Sequence, residues 1–219
     1  MQTGYQPQAR MPLTEKVGPQ HTALIVIDIQ NDFASPDKRF FAASRNRDLS
    51  MCDPMIDKLE QVIPMAESAG VLVLYTQQLY DPSKLNVLKK EQYELDGKLV
   101  TVEAGTKGAD FYRISPPTDR VFVKYDFNIF SNPNLVKLLE ERSIKTLVIT
   151  GMDIIFCVET AIRNGYDLGY KIVVPEDLIA GNAKYMDWNT RTLEITKYTF
   201  GVVTSSAELM RIWSGSARS

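Results

Sequence analysis

The sequence predicts an α/β protein: a three-layer, doubly wound, mostly parallel six-stranded sheet with helices on both faces. Three observations carry that reading. Six short β-branched runs recur along the chain, they are apolar with almost no polar alternation, and segments with apolar residues three and four apart lie between them. Strands buried on both faces lose the usual alternation, and strand–helix–strand repetition winds right-handed into a parallel sheet.

Residues 1–20 are polar, carry Pro and Gly, and are expected to form a flexible leader; they contain no apolar signal-peptide core. Thr22–Ile27 is the first strand. Asp53-Pro54-Met55 opens the first long helix, followed by Ile56, Leu59, Val62, Ile63 and Met65 at helical spacing. Val71–Thr76 is the second strand. Between 79 and 118 the rhythm breaks into a stretch rich in Lys, Glu, Asp and Gly that ends in Ser115-Pro116-Pro117. A connection of that length is expected to be a lid-like insertion covering the site. Arg120–Lys124 is the third strand, and Pro133 opens a helix containing Leu135, Leu138 and Leu139. Thr146–Thr150 is the fourth strand, leading to a helix over Val158–Gly165. Lys171–Val174, a helix over Met186–Tyr198, and Phe200–Thr204 complete the pattern. Residues 21–219 thus read as a single domain.

Composition excludes several functions. A chain of 219 residues with 44% hydrophobic and 24% charged residues is an ordinary globular protein. A net charge of −2 and a pI near 5.6 argue against nucleic acid or an anionic membrane as partner. Two cysteines, Cys52 and Cys157, build no disulfide framework, and no apolar run is long enough to span a bilayer. A reducing, cytoplasmic setting is the expectation. His21 is the only histidine, so a multi-histidine metal centre is impossible, and no Cys, His, Asp and Glu run has zinc-ligand spacing. A bound metal or organic cofactor is therefore not expected.

Open parallel sheets bind ligands at the carboxyl ends of their strands. The first strand delivers Asp28-Ile29-Gln30-Asn31-Asp32-Phe33 there, the third Lys124-Tyr125-Asp126, and the fourth, through Gly151-Met152-Asp153-Ile154-Ile155-Phe156, Cys157. A thiol at a helix N-terminus is expected to be biased toward thiolate by the macrodipole and unpaired N–H groups. Taken singly, Cys157 reads as a buried structural cysteine, Asp28 as a cap and Lys124 as a surface lysine. An acid, an amine and a thiol at three strand ends are hard to reconcile with accident, because buried charges are costly unless paired. Candidate pocket walls are Phe33, Tyr75, Tyr125, Phe127 and Phe156. Gln30 is placed as a buttress of the first-strand loop, with Glu103 and Thr106 reaching the site from above.

With these residues in order, the chain resembles the cysteine hydrolases of the isochorismatase-like superfamily from about His21 to Ser206. The markers are Asp28-x-Gln30-x-x-Phe33, Gly105-Thr106-x-Gly108-Ala109, Lys124 closing the third strand, and Gly151 six residues before Cys157-Val158-Glu159. The resemblance implies a Rossmann-like sheet, a catalytic Asp28–Lys124–Cys157 triad, and hydrolysis of a small amide, ureido or carbamoyl substrate without a cofactor. It implies a non-proline cis peptide at Met152–Asp153 and an oxyanion hole from the backbone N–H groups of Asp153 and Cys157. It also implies a homo-oligomer, dimer or tetramer, with the insertion and the helix after the fourth strand as interface candidates. The chain departs from the family pattern at Asp153-Ile154-Ile155, where a small polar residue commonly follows the cis bond. Ile154 is thereby a candidate pocket wall; Asp153 either meets a polar or cationic substrate group or points to solvent. Asn128 offers an amide to a substrate carbonyl or NH₂. The second strand ends in Tyr75-Thr76-Gln77-Gln78, which cannot supply the Asp and His metal cluster of nicotinamidases. Alternatives are vinyl-ether hydrolysis of the isochorismatase type, which needs no nucleophile, a redox role for Cys157, and a non-catalytic interaction protein.

Overall fold

The apolar runs lie side by side in the computed structural model, which describes residues 11–95 and 100–216. The strands are β1 (Thr22–Ile27), β2 (Leu72–Gln78), β3 (Val121–Lys124), β4 (Thr146–Met152), β5 (Lys171–Pro175), β6 (Ile179–Ala180) and β7 (Gly201–Thr204). Every pairing is parallel, in the order β3-β2-β1-β4-β5-β7. This path is the expected six-stranded sheet. The two-residue β6 adds a seventh strand by pairing only with the end of β4, Gly151 opposite Ile179 and Met152 opposite Ala180. It is too short to leave a signature in sequence.

The helices are α1 (Leu13–Lys16), α2 (Asn31–Ala34), α3 (Phe41–Ser44), α4 (Cys52–Ser68), α5 (Val87–Leu95), α6 (Pro133–Glu141), α7 (Glu159–Asp167), α8 (Met186–Ile195) and α9 (Ser206–Ser216). Strand alternation divides the core in two. Leu24, Val26, Val73, Tyr75, Val148 and Val173 pack with residues of α4 and α9, including Met55, Leu59 and the fully buried Trp213. Ala23, Ile25, Ile27, Leu74, Leu147 and Ile149 pack on the other face with Leu135, Leu139, Ala161 and Ile162 of α6 and α7. Helix α6 starts where Pro133 allows, capped by Asn132 Oδ1, which accepts from Asn134 N at 2.9 Å. The helix expected to run to Tyr198 instead ends at Ile195 and continues as a π-type turn, Thr196–Phe200.

The leader differs from expectation where it is described. Leu13–Lys16 is helical, Val17 is fully buried, Trp213 Nε1 donates to Val17 O at 3.0 Å, and Thr146 Oγ1 donates to Lys16 O at 2.6 Å. These contacts tie residues 13–17 to the domain; residues 1–10 lie outside the described chain. The segment 79–118, of which 96–99 are not described, is clasped to the body at several points. Gln30 bridges Phe111, Asn31 N donates to Asp110 O at 2.9 Å, Tyr112 N donates to Ile29 O at 2.9 Å, and the Asp32 carboxylate accepts from Val102 N at 2.7 Å. Among the described residues no helix is long and apolar enough to cross a membrane.

The chain winds outward from β1 through β2 to β3, returns to β4 beside β1, and winds outward the other way. The connections leaving β1 and β4 therefore diverge, opening a crevice at their carboxyl ends, where ligands of such sheets bind.

Candidate active site

Asp28 follows β1 at that crevice with φ at +48°, a left-handed conformation uncommon for a non-glycine residue. Its N–H donates to Thr76 O at 3.2 Å, and its Oδ1 accepts from Thr76 Oγ1 at 2.7 Å. Lys124 ends β3, and its side chain is buried beneath the site with Nζ 2.7 Å from Asp28 Oδ2. The ammonium has three donors, and they are directed to Gln78 Oε1 at 3.0 Å, Asp126 O at 2.9 Å and Cys157 Sγ at 3.3 Å. Asp28 Oδ2 lies at charge-assisted hydrogen-bond distance from the same ammonium, poorly aligned because these three acceptors share its donors.

Cys157 lies in a π-type turn, Ile154–Val158, between β4 and α7. Gly151 lets β4 approach this closely: its φ is +96°, and a Cβ there would sit 2.2 Å from Ile27 O. The Met152–Asp153 peptide is cis, as the resemblance implies. The expected thiolate bias is reversed. Burial pushes the Cys157 thiol up by more than the adjacent Lys124 ammonium pulls it down, so the sulfur rests as a thiol. It donates to Gln78 Oε1 at 3.4 Å. Burial also works against the Lys124 ammonium, but the Asp28 carboxylate beside it favours the charged form and the lysine is held above its ordinary value.

Cys157 opens onto a cavity of about 270 Å³, at the small end for ligand sites. Phe33 and Phe156 line it as expected of candidate walls, and Phe127 stacks on Phe156 at 5.7 Å across the mouth. Six candidates are not lining residues. Tyr75 alternates with Thr76 and points into the α4 side of the core, 4% exposed, with its hydroxyl pushed up to about 12 by burial. Ile154 turns into the opposite core layer, 1% exposed. Asn128 is committed locally: its Oδ1 accepts from Phe130 N at 3.0 Å as a helical cap. Tyr125 likewise stays out of the lining, contributing its carbonyl to Lys89 Nζ at 2.8 Å. Glu103 and Thr106 are exposed and outside it. Gln30 is the buttress expected, donating to Gln78 O at 2.9 Å and Ala109 O at 2.8 Å and accepting from Gln78 N at 2.9 Å.

Sequence reasoning missed Gln78, Phe41, Arg47, Lys89, Tyr93 and Thr101, all of which line the cavity. Gln78 ends β2 and was accessible to the same strand-end rule. The others come from segments without periodicity. Asp153 does not point freely to solvent: its Oδ2 lies 3.6 Å from Arg47, with its side chain 13% exposed.

Fold and site together define a doubly wound α/β protein with an acid–amine–thiol cluster at its topological switch point. The sequence profile of the isochorismatase domain matches residues 22–208, and the chain belongs to that family. Solved structures share its fold. A cysteine hydrolase from Pseudomonas syringae is 23% identical with a TM-score of 0.78, over 97% of this chain and 99% of that one. N-carbamoylsarcosine amidase from Thermoplasma acidophilum is 21% identical with a TM-score of 0.66, over 84% and 96%. A pyrazinamidase from Pyrococcus horikoshii, determined with zinc, is 20% identical with a TM-score of 0.69, over 84% and 99%. Among the described residues of the present chain, no group of three or more His, Cys, Asp and Glu could hold a metal ion.

Proposed function

We propose that the protein is a cysteine hydrolase that cleaves a C–N bond of a small linear amide, ureido or carbamoyl compound through a thioester. The observation that carries this reading is the buried convergence of Asp28, Lys124 and Cys157 at the floor of a small cavity, with Nζ 2.7 Å from Oδ2 and 3.3 Å from Sγ.

Asp28 takes the Cys157 proton as sulfur attacks the carbonyl carbon. Lys124 holds both partners and offsets the charge that develops between them. The N–H groups of Asp153 and Cys157 receive the oxyanion. The intermediate collapses with loss of the C–N bond, and Asp28 returns its proton to the departing nitrogen. Water then gives a proton to Asp28 and its oxygen to the thioester carbon; the C–S bond breaks and sulfur regains the proton.

The test is ammonia release across a panel of small amides, ureides and carbamoyl acids. Cys157→Ala is expected to lower kcat/KM on the best substrate by at least ~10³-fold while circular dichroism and urea midpoint stay close to wild type. A Cys157→Ala protein that turns over at the wild-type rate excludes covalent catalysis. Trapping an adduct on Cys157, detected by intact mass, is the positive counterpart.

A further inference from the structure

We infer that Arg47 anchors a carboxylate at the end of the substrate remote from its scissile carbonyl, making small amido, ureido or carbamoyl acids the substrate class; this rests on the hydrolase reading above. Arg47 lines the same cavity as Cys157, its side chain 32% exposed. Its guanidinium lies over the Phe41 ring at 5.6 Å, and its nearest carboxylate oxygen, on Asp153, is 3.6 Å away. That distance is too long for a hydrogen bond. Among the described residues the guanidinium makes none, so beside its loose ion pair with Asp153 a half-buried fork of donors faces a ligand cavity with its hydrogen bonds unfilled. A carboxylate satisfies such a fork bidentately, which a neutral amide does not.

The fork is preorganised. Arg47 N donates to Ala42 O at 3.1 Å, Asp48 N to the buried Asn182 Oδ1 at 3.0 Å, and Lys184 Nζ to Asn46 O at 2.6 Å. The segment bearing Arg47 is thus stapled to the loop between β6 and α8. Charge has the same sign. Lys89, whose Nζ sits 5.0 Å from the Phe127 ring centre, adds a second cation to the lining, against one carboxylate, Asp153. The buried Lys124 and Asp28 offset each other. A monoanion therefore balances the cavity, while Phe33, Phe127 and Phe156 offer apolar surface to a short methylene chain.

The test uses a matched pair of probes, N-carbamoyl-β-alanine and propylurea, which differ in a terminal carboxylate against a methyl group. In the wild-type protein, ammonia release is expected to favour the acid by about 10- to 100-fold in kcat/KM, the worth of one charge-assisted hydrogen-bond pair. Arg47→Met is expected to erase that ratio mainly through KM, and Arg47→Lys to keep part of it. Titration calorimetry on Cys157→Ala protein reads the same preference in Kd without turnover, and Arg47→Lys suffices should Arg47→Met, which leaves Asp153 unpaired, not fold. Equal use or equal binding of the two probes overturns the assignment, as does an Arg47 variant that lowers both together, or no binding of the acid at millimolar concentration. Binding preference without ammonia release sinks the hydrolase reading alone; fast release from propylurea without preference sinks the anchor alone.

Discussion

Lys124 pairs with Asp28 at 2.7 Å and also bonds Gln78, Asp126 and Cys157, whereas Asp28 supplies the base, so the two residues fail differently when changed. Lys124→Met leaves the 1%-exposed Asp28 without its cation and is expected to cost about 3–5 kcal/mol in urea unfolding, besides activity. Asp28→Asn keeps the shape and removes the base. Burial and the Asp28 charge both keep Cys157 protonated, so that variant is expected to lose turnover while its Cys157 reacts with iodoacetamide at neutral pH no more slowly than in the wild type. Slower alkylation would show that Asp28 draws off the thiol proton before a substrate arrives. Asp28 and Lys124 were legible in sequence because each stands at the end of an apolar strand, where a charge has no other reason to stand, and Cys157 because it lies where the fourth strand hands over to a helix. Gln78 obeys the same rule but is uncharged, so its role as acceptor for both Lys124 and Cys157 left no electrostatic signal. Tyr75 misled for the opposite reason. A strand-end aromatic points to the site or the core according to parity, and its partners Val73 and Val26 put it in the core.

Two elements hold the cavity walls, and magnitudes separate them from decorative contacts. Gly151 joins β4 to the turn carrying Asp153 and Cys157. With φ at +96° and backbone atoms of Ile27 2.2 Å from any added Cβ, Gly151→Ala is expected to lose about 3–5 kcal/mol or not to accumulate as folded protein, read by urea midpoint and soluble yield. Wild-type stability in that variant would mean that β1 and β4 can separate at no cost. The long connection is held by Asp32, which accepts from the N–H groups of Val102 and Phe41. Asp32→Ala leaves both donors unmatched and is expected to cost about 1–3 kcal/mol, raise KM and speed proteolysis within 79–118. Arg113 meets Asp53, Asp57 and Glu60 on the surface, yet Arg113→Ala should change stability by no more than about 1 kcal/mol. The insertion was visible in sequence as a break in rhythm. Its helix α5, with Lys89 and Tyr93 on the cavity, was not, because no buried stripe marks it.

At the scale of the whole molecule, the sequence carried the layer architecture but not the order of the strands. Unbroken apolar runs specify burial on both faces; which run neighbours which is decided by crossover direction and by side-chain fit, as at Gly201 on β7, where an added Cβ would sit 2.3 Å from Ile172 O of β5. One consequence of so complete a burial is a common response to alkali. Cys52 is pushed from 9.0 up to about 12 by burial and by nearby carboxylates, Tyr75 from 10.0 to about 12, and Cys157 and Lys124 are raised as well. Each folded-state value lies above the unfolded one, so in alkali the unfolded chain releases protons first. The stability these groups contribute is complete below about pH 9 and is lost as pH rises toward the folded-state values. The urea midpoint is therefore expected to fall steadily from pH 8 to 10.5 under reducing conditions. Cys52→Ala should start lower, because a packed methyl-sized group is replaced by a small void, but its slope should be shallower by up to about 1.4 kcal/mol per pH unit above pH 9. Parallel slopes for the two proteins would mean that Cys52 ionises alike in both states, and that its side of the core admits water.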